Sequence, residues 1–582
     1  MFSKFVDKPP LPFFTETRQR WLLLLLTAFT FFVLLGGRAL NEPDEGRYSE
    51  IAREMIETGN WVVPHFWYLP HLDKPPMTYW LVAFSMKLFG QNEWAARLPL
   101  ALAGIGGVWV AWLLGVSVGG RRVGFWSALI LQTSLLYFVM ARMLTTDMFL
   151  TVFNAWAIYF FWRSWQSQKS EVRSQKSEFF GWHLAGWAAM ALGFLTKGPV
   201  ALAIPLIALG SLVIWHWKRF AAKKLLLGGL AAGMALFLVL VLPWFLAVFR
   251  RVPEAFDYMT VYQAAGSLLG TTITNRKGSP FYFFGILAVG LLPWTFLLGW
   301  LWRRAQPAPT SDVGGQKGAW LLLNVWAIFT FALFSFSQAK LPAYILPIFP
   351  ALAVMLAWRF FSDEHATESV PAPVWRFCLA GALLLPAIFP WLMVFVFHDL
   401  LPAWLKWQTP VVVGIILLAL WLTRRWKPSG CAALTVALGL LSLVVTVAEI
   451  PLFETSFKRN QTFKPLGLAL REKCQPGDII ICWGRLPEGL AFYAYPTICA
   501  TNRPYFGDMD LAQVPFEFPG NQERLGKLLL PDEDALANLL AENRRVWVVG
   551  FGDTVEQFLQ SHHAPSLNLV TNVGQWKLFG YR

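Results

Sequence analysis

Long apolar runs separated by short polar segments dominate this sequence. The runs predict about 13 membrane-spanning helices of roughly 20 residues each. They are expected near residues 20–40, 97–118, 123–141, 146–163, 181–196, 198–216, 225–249, 281–302, 318–336, 343–361, 376–397, 410–426 and 431–450. No small-residue cleavage site follows the first run, so it is expected to be an uncleaved span. The pattern therefore predicts an α-helical polytopic membrane protein.

The first interruption of the pattern is a polar loop, residues 41–95, with two predicted helices. The first helix is amphipathic, is expected to end at Gly59, and should lie on the membrane surface. Its apolar face comprises Tyr48, Ile51, Ala52, Met55 and Ile56, and its polar face comprises Glu45, Arg47, Glu50, Arg53, Glu54 and Glu57. The second helix is predicted over Met77–Phe89, because Pro75 and Pro76 suit a first helical turn.

The second interruption is residues 451–582, which are less apolar and predict a small α/β domain. Buried strands are expected at 478–483 (DIIICW) and 545–550 (RVWVVG), and a helix at 531–543. Residues 1–450 are accordingly assigned to the membrane domain. The C-terminal domain carries no phosphate-loop signature, so no chemistry of its own is assigned to it.

Charge fixes the expected orientation. The chain is 56% hydrophobic with a net charge of +14, and its basic clusters alternate with the spans, as the positive-inside rule expects. The clusters on one side are Arg121-Arg122, Lys169/Arg173/Lys176, Lys218-Arg219/Lys223-Lys224, Arg303-Arg304 and Arg424-Arg425/Lys427. That side and the N-terminus are predicted to be cytoplasmic, and the polar loop and the C-terminus periplasmic. Nucleic acid is not an expected partner.

Cysteine usage gives little chemistry. The chain has five cysteines and no CxxC pair, so a structural zinc site is not expected. One disulfide among Cys474, Cys482 and Cys499 is an open alternative.

Charged and polar residues gather in the polar loop and in short turns on the same side of the membrane. Ionisable groups at such positions usually carry a function. The candidates are Asp44, Glu45, Arg47, Asp73, Lys74, Arg142, Asp147, Lys197, Lys340 and Tyr344. Several cations beside a few acids suit a phosphate-bearing substrate whose lipid tail lies in the bilayer.

Most of these candidates also have a structural interpretation. Asp44 is either a helix N-cap paired with Arg47, or a general base or divalent-cation ligand. Lys74 either snorkels at the interface or binds phosphate from a rigid proline turn. The structural alternatives for the others are a surface carboxylate at Glu45, an ion pair between Arg142 and Asp147, an anchor at Lys197 and an interface tyrosine at Tyr344.

These motifs resemble a known family. The run DEGRYSEIAREM followed by LDKPPMTYW, then TKGP and KLPAYILPIFP, is similar to the GT-C class of membrane glycosyltransferases. Within that class the chain resembles the bacterial aminoarabinose transferases, which modify lipid A from undecaprenyl-phosphate-linked aminoarabinose. More distantly it resembles the protein O-mannosyltransferases. The likeness covers the whole membrane part and a periplasmic C-terminal domain, and it is strongest over residues 41–104.

The resemblance implies roles for individual residues. It implies that Asp44 is the acid of the catalytic centre and that Asp147 is the acid of the second outer turn. It implies that the donor phosphate is bound by Arg47, Tyr48, Lys74, Lys340 and Tyr344. The aminoarabinose enzymes usually carry glutamate before the loop lysine and can bind a divalent metal through it. A metal at the shorter Asp73 is therefore an open alternative.

The expected function is transfer of a sugar from an undecaprenyl (polyprenyl) phosphate donor to an envelope acceptor, with lipid A as the expected recipient and inversion at the anomeric carbon. Two alternatives stay open: a protein or polysaccharide glycosyltransferase of the same class, and a transporter of lipid-linked sugar. Transporters tend to show inverted repeats, and none is seen in this sequence. The expected location is the bacterial inner membrane, with membrane lipids as further partners.

Overall fold

The computed structural model describes most of the membrane domain and the central part of the C-terminal domain. It describes residues 16–167, 173–215, 223–260, 278–303, 316–361, 374–382, 462–475, 477–484, 486–495, 505–507, 545–552 and 567–581, with isolated positions between 410 and 439 and at 538. Apart from those positions, the spans predicted near 410–426 and 431–450, most of the span near 376–397 and the helix at 531–543 lie outside the described residues.

The described membrane domain is helical, which confirms the predicted fold class. Its helices are α1 (Glu16–Phe32), α2 (Asp44–Thr58), α3 (Met77–Phe89), α4 (Glu93–Thr133), α5 (Leu135–Met140), α6 (Asp147–Ser167), α7 (Arg173–Lys197), α8 (Val200–Trp215), α9 (Lys223–Arg251), α10 (Ala255–Asp257), α11 (Tyr282–Gly290), α12 (Thr295–Arg303), α13 (Gln316–Phe336), the 3-10 helix Pro342–Ile348 and α14 (Phe349–Phe361). Five helices within the described ranges are long and apolar enough to cross a membrane.

The 41-residue helix α4 contains the span predicted at 97–118 and the first part of the span predicted at 123–141, whose remainder forms α5 after Ser134. Gly119 and Gly120 interrupt it, and Gly120 has a φ of +84°, which glycine adopts without strain. Arg121 and Arg122 follow directly, so the break coincides with a cluster of basic residues. The expected division between spans near 118 and 123 is therefore confirmed.

Further spans also differ from their predicted extent. Helix α1 ends at Phe32 rather than near residue 40, since Leu34 has a positive φ of 55°, and the Arg142 guanidinium then donates to the free carbonyls of Phe31 and Val33. The span predicted at 281–302 is divided into α11 and α12. Pro293 has no N–H to continue the helix, and the Leu292 carbonyl instead accepts from the Leu135 N–H at 3.1 Å.

Helices α2 and α3 form in the polar loop as predicted. Helix α2 ends at Gly59, whose φ is +66°, and α3 begins directly after the proline pair. The prediction that the polar face of α2 lies at the surface is wrong, because Glu50, Arg53 and Glu54 are all buried. Arg53 forms ion pairs with Glu50 and Glu57, which lets charged side chains lie inside the protein.

A short β-hairpin connects α2 with the C-terminal domain. Its strands are β1 (His65–Phe66) and β2 (Leu69–Pro70), and the turn residues Trp67 and Tyr68 both have positive φ. The Tyr68 N–H donates to Glu54 Oε2 at 2.9 Å. The Trp67 ring meets the Phe506 ring edge-on with centroids 5.6 Å apart. The hairpin therefore fixes α2 against a residue far away in the sequence.

The described C-terminal part has the predicted α/β character. Strands β3 (Ile479–Trp483), β4 (Tyr505–Gly507), β5 (Val546–Phe551), β6 (Leu567–Val573) and β7 (Trp576–Tyr581) form one sheet in the order β4-β3-β5-β7-β6. Strands β4, β3 and β5 are parallel, and β7 and β6 are antiparallel additions. Both predicted strands are thus confirmed. Cys474 and Cys482 have free thiols, so no disulfide joins them.

Candidate active site

The start of α2 places Asp44, Arg47 and Tyr48 on consecutive turns. Pro43, rather than Asp44, is the N-cap residue, so the predicted capping role of Asp44 is wrong. Asp44 is partly exposed and accepts no hydrogen bond from any residue that the structure describes. Asp44 and Arg47 do not form the expected ion pair, because Arg47 binds Glu488 of the C-terminal domain instead. Asp44 is thus available to a substrate.

The turn before α3 presents Asp73 and Lys74. The Lys74 ammonium lies 3.0 Å from Asp73 Oδ1 and 3.1 Å from the Asp73 carbonyl oxygen. Their side chains are 24% and 32% exposed, so this pair remains open to a ligand. Burial opposes the charge on Asp73, but Lys74 and then His71 outweigh it and hold the pKa of Asp73 below its ordinary value. Asp73 is therefore ionised.

Two stacked tyrosines join these segments. The Tyr48 and Tyr79 rings lie with centroids 5.4 Å apart. Burial raises the pKa of both phenols well above 10.0, so both are neutral hydrogen-bonding groups. Asp44 and Asp73 each act electrostatically on both rings, which places the two acids around one pair of tyrosines.

A second polar group lies where α6 begins and α7 ends. The Lys197 ammonium forms an ion pair with Asp147 and lies 4.3 Å from the centre of the Tyr344 ring. Asp73 is also within electrostatic range of Lys197, which connects this group to the turn before α3. Asp147, Lys197 and Tyr344, which come from three separate turns, therefore lie together near Asp73 of the polar loop.

Two predicted site residues have structural contacts instead. Arg142 donates to the carbonyls of Thr30, Phe31 and Val33, so the predicted ion pair between Arg142 and Asp147 is wrong. Lys340 donates at 2.8, 2.6 and 2.5 Å to the carbonyls of Phe334, Ser335 and Ser337. Those three bonds use all three ammonium hydrogens. Both cations cap the C-terminal end of a helix, and a role for Lys340 at the donor phosphate stays a prediction.

Glu45 is buried, which contradicts its interpretation as a surface carboxylate. It accepts two hydrogen bonds each from Arg38 and Arg97, at 2.6–3.0 Å. It also accepts from the backbone N–H groups of Asn41 at 2.9 Å and Leu144 at 3.1 Å. Burial opposes its charge, but the two guanidinium groups hold the pKa of Glu45 below its ordinary value. Glu45 thus ties the polar loop to α4 and to the turn before α6.

Glu42 is a further residue that sequence reasoning missed. Its Oε2 accepts from the Gly489 N–H at 3.1 Å, and its Oε1 is buried without a partner among the described residues. Burial, and then the nearby Glu488 carboxylate, raise the pKa of Glu42 well above 4.5. The Glu42 carboxyl is thus a proton-binding group at the contact between the two domains.

Replacing Glu42 by glutamine is expected to stabilise the protein increasingly as the pH rises. Since its folded-state pKa lies above the ordinary value of 4.5, the folded protein retains a proton that the unfolded chain releases. Wild-type stability therefore falls as the pH rises from 4.5 towards the folded pKa, and a neutral amide removes that loss. Thermal melting in detergent between about pH 5 and pH 8 checks this. The prediction is wrong if the difference in melting temperature between wild type and Glu42→Gln stays constant with pH, as it should for the exposed control Glu472→Gln.

Asp73 is also the predicted ligand of a divalent metal ion. The described residues contain no group of three or more histidine, cysteine or acidic side chains that could hold a metal ion. Asp73 Oδ1 is already paired with Lys74, whereas a divalent cation needs several oxygen ligands. Metal binding through Asp73 therefore stays a prediction.

An apolar helical bundle carries the ion pairs Asp73–Lys74 and Asp147–Lys197 at one end, beside a small α/β domain. This is the architecture of a GT-C membrane glycosyltransferase. The model of the dolichyl-phosphate-mannose-protein mannosyltransferase family matches residues 73–246. The crystal structure of ArnT from Cupriavidus metallidurans bound to undecaprenyl phosphate superposes with a TM-score of 0.77 at 25% identity, covering 97% of this chain and 98% of that one.

Curated relatives identify the family. An undecaprenyl phosphate-α-4-amino-4-deoxy-L-arabinose arabinosyl transferase from Erwinia tasmaniensis is 34% identical over 342 residues, and the chain spans 59% of its length. A protein of the same description from Sodalis glossinidius is 31% identical over 455 residues, which cover 73% of this chain and 75% of that relative. The chain therefore belongs to the family of undecaprenyl phosphate-aminoarabinose arabinosyl transferases. The predicted resemblance is confirmed.

Proposed function

We propose that this protein is an integral-membrane glycosyltransferase that transfers a sugar from an undecaprenyl-phosphate donor to an envelope acceptor of the lipid A type. The observation that carries the proposal is the meeting of Arg47, Lys74 and Lys197 with three acids at one end of an apolar bundle. Cations there suit a lipid phosphate, while the exposed apolar helix surfaces suit contact with lipid. Family membership supports the same donor.

The proposed reaction is a single displacement with inversion. An acceptor oxygen attacks the anomeric carbon while the bond from that carbon to the phosphate oxygen breaks, and its electron pair leaves with the phosphate. Arg47 and Lys74 stabilise the departing dianion. Where the acceptor is a hydroxyl, Asp44 takes its proton. Where the acceptor is a phosphate, no base is needed and Asp44 orients it.

The orientation is part of the proposal. The polar loop, the turn between α7 and α8 and the C-terminal domain lie at one end of the bundle, and the break at Gly119–Gly120 with its two arginines lies at the other. The positive-inside rule then puts the arginines in the cytoplasm and the site in the periplasm of the bacterial inner membrane.

Replacing Lys74 by alanine is expected to lower kcat/KM for sugar transfer about 100-fold, since a cation at the leaving oxygen acts mainly in the transition state. The assay measures transfer from an undecaprenyl-phosphate sugar to lipid A in vesicles. Lys87→Ala is the matched control, because Lys87 is an exposed lysine at the far end of α3. Transfer by Lys74→Ala at the Lys87→Ala rate would refute the phosphate role.

One further candidate function has support. The family match over residues 73–246 is described as a protein mannosyltransferase, which favours a protein acceptor as the second possibility. Mass spectrometry of lipid A and of envelope glycoproteins, from cells with and without this protein, identifies the sugar and its recipient together. In vesicles, net movement of lipid-linked sugar without transfer would instead support the transporter alternative.

A further inference from the structure

Among the described residues, an ion pair joins the C-terminal domain to the candidate site. Glu488 precedes the short helix Leu490–Ala494 of that domain. Its carboxylate accepts from Arg47 Nε at 2.6 Å and from Arg47 Nη2 at 3.0 Å. The two side chains are only 17% and 14% exposed, so water competes weakly with this two-bond contact.

The backbone around Glu488 leaves little room for adjustment. A Cβ atom on Gly489 would lie 2.2 Å from Glu42 Oε1 and 3.0 Å from the Gly46 Cα. A Cβ atom on Gly46 would lie 2.4 Å from the same oxygen of Glu42. The absence of a side chain at Gly489 lets this segment lie directly against the Gly46 backbone, so the segment carrying Glu488 packs closely against the first turn of α2.

Three acids surround Arg47. Glu488 contributes most to its electrostatic stabilisation, followed by Asp44 and Asp73. Because Glu488 takes the Nε and Nη2 edge, Nη1 donates to none of the described residues, and Asp44 accepts no hydrogen bond from them. Asp44 lies three residues before Arg47 on the same helix. If Glu488 is removed, Asp44 is therefore the nearest acid that could pair with Arg47.

We infer that Glu488 is a positioning residue for the sugar donor: it holds Arg47 so that one guanidinium edge remains available to the lipid phosphate and Asp44 remains unpaired. The inference rests on the proposed function. It gives the C-terminal domain a part in donor binding, although that domain carries no phosphate-binding motif of its own.

The test measures binding of undecaprenyl phosphate to the purified full chain in detergent. Glu488→Ala is expected to weaken binding about tenfold, and Glu488→Gln, which keeps the shape but only one acceptor, by less. In an Arg47→Ala background, Glu488→Ala should weaken binding no further, because its effect acts through Arg47. The KM for the sugar donor should rise while the KM for the acceptor stays unchanged. Glu472→Ala, an exposed acid of the same domain, is the control.

Each other outcome overturns the inference. If Arg47→Ala binds weakly but both Glu488 variants bind like wild type, only the positioning role is wrong. Tighter binding by Glu488→Gln would show that Glu488 competes with the phosphate. Additive losses would show an effect that does not pass through Arg47. Normal binding by Arg47→Ala would remove the proposed phosphate role of Arg47 and this inference with it. Melting temperatures show whether Glu488→Ala folds. If it does not, the binding measured for Glu488→Gln tests the inference.

Discussion

Replacing Glu45 by alanine is expected to lower the free energy of unfolding by about 3–5 kcal/mol. The substitution removes one carboxylate that two arginines and two backbone N–H groups share. Arg97 is fully buried and would be left with an uncompensated charge. Its remaining hydrogen bonds, to the carbonyls of Leu35, Arg38 and Ala39, do not neutralise that charge.

Denaturant unfolding in detergent measures this effect. Glu45→Gln should fall between wild type and Glu45→Ala, since an amide oxygen still accepts hydrogen bonds but carries no charge. The matched control is Glu178→Ala on α7, because Glu178 is exposed and its removal should change stability by less than about 0.5 kcal/mol. A Glu45→Ala variant as stable as Glu178→Ala would show that the buried carboxylate adds nothing to folding.

The second large effect is expected at Asp44. Asp44→Asn should lower the turnover number about 10²-fold to 10⁴-fold without changing the melting temperature. The side chain is partly exposed and has no hydrogen-bond partner among the described residues, so little stability depends on it. The loss in rate follows because an amide can neither take a proton from an acceptor hydroxyl nor orient a cationic or hydroxyl group as strongly as a carboxylate.

Single-turnover transfer by the purified protein separates the two effects. Asp257→Asn is the control, because it makes the same chemical change at an exposed position on α10. Near-native turnover by Asp44→Asn would exclude it from the reaction. A lowered melting temperature would instead assign its role to the fold of α2.

Local signals in the sequence were sufficient for several elements. The proline pair placed the start of α3, and Gly59 placed the end of α2. Continuous apolar runs located β3 and β5. These signals work because the residue itself limits the backbone, or because burial on both faces demands a uniform run.

The roles of the basic residues could not be read in the same way. Lys197, Lys340 and Arg142 all stand in turns between apolar helices, yet only Lys197 meets an acid of the candidate site. The other two meet helix-end carbonyls. What a cation contacts depends on where neighbouring helices end in space, and no local pattern reports that.

Partners from distant parts of the chain were also beyond sequence reasoning. Glu45 resembles an ordinary acid in a first helical turn until Arg97 is seen to reach it. Glu488 lies 441 residues after Arg47, within a domain that offered no motif. Both contacts required the fold of the polar loop and its docking surface to be known first.

The contact between Gly46 and Gly489 limits how this protein can be recombined. Exchanging the C-terminal domain for that of a relative should be easiest when both junction positions remain glycine, since a methyl group at either would lie 2.2–2.4 Å from Glu42 Oε1 and displace that carboxyl. A chimera should therefore keep Gly46, Gly489 and Glu42 together.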